Sequence, residues 1–114
     1  WRPTNVTRQV YTLKVIGSAI FAGGEGGVLI SKDNGRSWAP SVTSLKNPYP
    51  VEAFAVKGDR IYLAQQGVYV SIDGGRSWAP INDGLPDLRM VGLVVNDTNI
   101  FVRTYHGWLF TRRL

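Results

Sequence analysis

With 114 residues, 44% of them apolar and 18% charged, the chain is long enough for one domain with a core and too apolar for disorder. It contains no cysteine, which excludes a disulfide framework and a cysteine metal site, and no run approaches the roughly 18 apolar residues of a membrane helix. The net charge of +5 is scattered, with only Arg112 and Arg113 adjacent among clustered bases, so no basic stripe with interleaved aromatics points to nucleic acid.

Thirteen glycines and six prolines punctuate short runs of Val, Ile, Tyr, Phe and Trp, the composition of turn-rich β structure. In chain order, residues 1–9 read as a fourth strand, Trp1-Arg2-Pro3, and its outgoing connection. Residues 10–50 carry a strand ending at Ile16, a tight turn at Gly17-Ser18, a strand through Ile20-Phe21, a turn at Gly24 to Gly27, and a strand Val28 to Ser31. The octapeptide Ser31-Lys32-Asp33-Asn34-Gly35-Arg36-Ser37-Trp38 then leads into Ala39-Pro40. Residues 51–90 repeat the order, with turns at Gly58-Asp59 and at Gln65 to Gly67, and with Ser71-Ile72-Asp73-Gly74-Gly75-Arg76-Ser77-Trp78 leading into Ala79-Pro80. Residues 91–114 give three strands, with turns at Asn96-Asp97 and Tyr105 to Gly107 and with Arg113 where the octapeptide has Asp. Four short strands on a period of about forty residues are the signature of a β-propeller blade, so the expected fold is all-β, built of antiparallel four-stranded blades.

Trp1-Arg2-Pro3 matches Trp38-Ala39-Pro40 and Trp78-Ala79-Pro80, which makes three blades' worth of strands in all. A ring needs about four blades or more. Two readings follow: a homodimer in which strand exchange through Trp1 to Thr7 completes a six-bladed ring, or a piece of a longer parent. The dimer is the expectation, because the cut falls within one turn and leaves no strand over.

The doubled S-x-D-x-G-R-S-W resembles the Asp-box, the bacterial neuraminidase repeat. That resemblance spans essentially the whole chain. It implies a β-propeller like those of sialidases, xyloglucan-active glycosidases, sortilin-type receptors and photosystem II assembly factors, and slightly favours an exported location. The residue chemistry assigns the box a structural role. Asp33 and Asp73 can accept backbone N–H bonds within the turn, Gly35 and Gly75 suit a conformation closed to a Cβ, Trp38 and Trp78 are apolar plugs, and Ser31 and Ser71 can bond across the turn. Asp33-Asn34-Gly35 lacks the further carboxylates of a calcium loop.

Function is expected on the opposite ends of the blades, at the second-to-third strand tips and the connections between blades. The candidate contacts there are Glu25, Lys46, Tyr49, Gln65, Gln66, Arg89, Tyr105 and His106. These loops differ between repeats, as a binding face and freely varying solvated loops both would. His106 is the only histidine, so neither a metal nor another cofactor is expected. A sialidase needs an arginine cluster for the carboxylate and usually shows an F/Y-R-I-P stretch near its start, and no F/Y-R-I-P occurs here. Other glycosidases need two opposed carboxylates, and the acids remaining off the box ends are Glu25, Glu52, Asp83 and Asp87. The reading is a non-catalytic module that presents variable loops to a protein or glycan. The alternative is a fragment of a glycoside hydrolase or carbohydrate-binding, sialidase-like propeller.

Overall fold

The computed structural model describes residues 1–41, 49–86 and 89–114. Glycine turns divide these residues into short strands and no helix forms among them. The first group is β1 (Val10–Ile16), β2 (Ala19–Gly24), β3 (Gly27–Ser31) and β4 (Ala39–Pro40). The second is β5 (Ala53–Lys57), β6 (Arg60–Gln65), β7 (Gly67–Ser71) and β8 (Ala79–Pro80). The third is β9 (Met90–Val95), β10 (Asn99–Thr104) and β11 (Leu109–Arg113). Each group is one antiparallel sheet in meander order, β1-β2-β3-β4, β5-β6-β7-β8 and β9-β10-β11. The turn glycines Gly17 and Gly58 have φ of 61° and 59°, a region in which a side chain would be strained.

The sheets stack face to face, β1 beside β5 and β5 beside β9. Alternation along each strand sends every second side chain into one junction and the others into the next. The first junction buries Phe21, Val28, Val51, Phe54, Ile61, Leu63 and Trp78. The second buries Ala55, Tyr62, Ala64, Val68, Met90, Ile100 and Val102. Lys57 Nζ reaches Asp97 across the second junction at 2.9 Å, in solvent.

The outer flanks of the stack are apolar and open. Phe54 is 7% exposed in the first junction, whereas Leu13, which holds the same place on β1, is 64% exposed. Val15 on β1, and Val94 and Leu109 on the third sheet, are also exposed. Residues 1–9 form no strand on this chain.

The third repeat departs from its expected register. Ser31 pairs with Ile20 and Ser71 with Ile61, but the residue opposite Ile100 is Arg112 rather than Thr111. The cause is the length of the tip. Gly24 pairs with Gly27 and Gln65 with Gly67, whereas Thr104 N–H closes onto Trp108 O at 2.9 Å around three residues. Leu114, not Arg113, therefore stands at the place of Asp33 and Asp73.

Candidate functional site

The two octapeptide turns are closed by their own side chains. Ser37 N–H and Ser77 N–H donate to Asp33 Oδ1 and Asp73 Oδ1 at 2.8 and 2.9 Å, and the hydroxyls of Ser37 and Ser77 donate to the Oδ2 atoms at 2.5 Å. Ser31 and Ser71 donate to Oδ1 and accept from Gly35 N–H and Gly75 N–H at 2.8 and 2.9 Å. Both carboxylates are engaged within their own turns.

These bonds favour the ionised acid. The Ser37 hydroxyl first, then the Ser37 amide, Ser31 and the Arg36 amide, lower Asp33 from 3.8 to about 2, and the Ser77 hydroxyl leads the same shift in Asp73. Because the folded value lies below the unfolded one, each carboxylate stabilises the fold fully above about pH 4 and loses that effect as pH falls toward 2. Asp73→Asn is therefore expected to melt below wild type at pH 7 and to converge with it near pH 2. Parallel melting curves across that range would refute the assignment.

A different cluster lies at the blade tips, where the connections meet the second-to-third strand turns. Tyr105 N–H donates to Arg89 O at 2.9 Å and Gln66 forms a bridge with Arg89, so the tips of the second and third sheets share one connection. Glu52, on the preceding connection, accepts from Arg89 Nε at 2.7 Å, with its own side chain only 9% exposed. The Arg89 guanidinium lies 5.0 Å from the centroid of the Tyr105 ring, and Tyr105 meets His106 edge to face at 5.4 Å. The Glu52 hydrogen bond, followed by the charge of Glu52 and smaller effects of Tyr105 and Tyr11, raises Arg89 above its ordinary range. Its terminal nitrogens carry no hydrogen bond to any described residue. Fixed from one side and open on the other, the guanidinium can donate to a ligand oxygen beside two exposed rings.

The expected contacts divide accordingly. Gln66, Arg89, Tyr105 and His106 come together. Glu25 is exposed at the first tip, where its N–H donates to Gln9 O at 3.0 Å. Tyr49 is part exposed on the connection before Glu52. Gln65 differs from expectation: it is the last ladder residue of β6, buried, and its Nε2 donates to Tyr49 O at 3.0 Å, so it supports the loop from beneath. Lys46 lies outside the described residues. Glu52 and Tyr11 were not among the expected contacts. Glu52 stands 37 residues from Arg89, and no local spacing signals the pair.

No family model matches the sequence, and no curated protein matches it. Among solved structures, an ancestral GH74 enzyme superposes with a TM-score of 0.72 at 22% identity, over 91% of this chain. The chain spans 15% of the length of that enzyme, a glycoside hydrolase of a β-propeller family. The likeness carries the fold, an all-β chain of antiparallel propeller blades.

Proposed function

We propose that the chain is a non-catalytic Asp-box propeller module that binds a ligand at its blade tips, through Arg89, Tyr105 and His106. The observation that carries this reading is the guanidinium of Arg89, anchored by Glu52 and laid against Tyr105 with its terminal nitrogens open. An arginine preorganised in this way pays little ordering entropy on binding. The neighbouring rings of Tyr105 and Trp108 are both largely exposed and offer a stacking surface, which favours a glycan over a protein as the ligand. The octapeptide turns are scaffold in this reading, since their acids and hydroxyls bond to one another.

A glycan panel followed by titration tests the proposal. Tyr105→Ala removes an exposed ring and leaves the core intact. It is expected to weaken binding about tenfold, the upper range for one aromatic contact. Arg89→Lys keeps the charge and loses the planar fork, and is expected to weaken binding further. If both variants bind as wild type does, the tip site is wrong.

The second reading, a segment of a glycoside hydrolase, is favoured by the likeness to the GH74 enzyme. Glycoside hydrolysis requires a free acid facing a second carboxylate. Glu52, the acid of the tip cluster, is already held by Arg89. Hydrolysis of a polysaccharide that is abolished by Glu52→Gln would favour the second reading over the first.

A further inference from the structure

The two junctions of the stack are built alike and filled differently. In the first, Trp78 is 4% exposed, packed among residues of both sheets, with its Nε1 donating to Ser41 Oγ at 3.3 Å. The plug of the second blade is thus seated in the blade before it. The second junction has no tryptophan. In its place are two adjoining hollows of about 80 and about 70 Å³ that share Ile81, Ile100 and Arg112. Val68, Ile100, Val102 and Ile81 line them, at the places that Val28, Ile61, Leu63 and Ser41 hold around Trp78. The outer edge of β11 beside the hollows is unpaired, whereas β3 and β7 carry β4 and β8.

One segment of the sequence fits both vacancies. Trp1-Arg2-Pro3 repeats the Trp-Ala-Pro that follows each octapeptide turn. Trp1 is fully exposed and its segment forms no strand on its own chain. We propose that the hollow between the second and third sheets binds the Trp1 indole of a second copy, with Arg2-Pro3 adding a fourth strand to β11.

The register follows from the other two sheets. Pro40 pairs with Leu29 and Pro80 with Tyr69, and the next N–H, of Ser41 or Ile81, donates to Val28 O or Val68 O at 2.9 Å. Pro3 therefore lies opposite Phe110, Arg2 opposite Thr111, and Thr4 N–H meets Leu109 O. Exchange in both directions fills two identical pockets around a two-fold axis. It also brings the open flank of one copy, Leu13 and Val15, toward the open flank of the other, Val94 and Leu109, and so covers apolar surface that is otherwise in water.

Sedimentation equilibrium from about 1 to 100 μM, with Trp1→Ala as the variant, tests the proposal. Trp1 touches no core residue of its own chain, so the variant is expected to keep the wild-type circular dichroism spectrum. Wild type is expected at twice the 12.6 kDa chain mass. Loss of two central indoles is expected to raise the dissociation constant at least about 100-fold. Since the chain has no cysteine, Arg2→Cys combined with Thr111→Cys provides a second measurement, and mild oxidation is expected to give a covalent dimer. A wild-type chain that remains monomeric at the top concentration overturns the proposal. So does a dimer that Trp1→Ala leaves unchanged and that the cysteine pair does not trap.

Discussion

Trp78→Ala is expected to lower the free energy of unfolding by about 3–5 kcal/mol, the range for deleting a large buried ring. Against a total of about 5–15 kcal/mol for a domain of this kind, that is a large fraction. The reason lies in where the indole sits. Trp78 is 4% exposed, and it packs with Phe21 and Val28 of one sheet and with Ile61 and Leu63 of the other. Its loss opens a cavity that both sheets line, so they lose their shared filler together. Trp38 provides the control. It stands at the same place in the first octapeptide, donates Nε1–H to Gly35 O at 3.1 Å, and is only half buried because no sheet lies behind it on this chain. Trp38→Ala is expected to cost about 1–2 kcal/mol. Urea unfolding of the two variants side by side measures the difference, and equal losses would show that burial between the sheets is not what Trp78 contributes.

The paired octapeptides offer a second control, at their central glycines. Gly35 and Gly75 have φ of 86° and 90°, so alanine strains the backbone at either position by about 1–2 kcal/mol. Their surroundings differ. A Cβ on Gly35 would meet nothing nearer than Trp38 at 3.9 Å, whereas one on Gly75 would lie 2.7 Å from Phe21 Cε2 and 3.4 Å from Ile30 Cδ1. Gly75→Ala must therefore also push the turn off the neighbouring sheet, an overpacking cost of about 1–3 kcal/mol. It is expected to be the more damaging of the two by that margin. Chemical denaturation reads the gap, and a Gly35→Ala variant as unstable as Gly75→Ala would mean that backbone strain alone accounts for both.

These contrasts explain which parts of the fold could be read from the sequence. The octapeptide turn is bonded within itself, Ser31 to Asp33 and Asp33 to Ser37, and such short separations leave a local pattern. The doubled pattern made the strand count and the blade order legible. The pairing of Glu52 with Arg89 within the tip cluster left no such trace. Glu52 and Arg89 meet only because two connections, 37 residues apart, are brought together by the stacking of sheets. The Gln65 side chain differs from expectation for a related reason: the second tip is so tight that Gln65 pairs with Gly67, and its side chain is buried. In the third repeat the longer tip around His106 moved the register by one residue, a change that matching of apolar letters does not detect.

The seating of Trp78 against the preceding sheet also gives the stack a direction in time. A chain emerging from the ribosome completes all four strands of its first sheet by Pro40, yet the cluster around Phe21 and Val28 is not complete until Trp78 has been made. The first blade is thus sealed by its successor, and synthesis itself becomes a ratchet in which the second blade locks the one before it.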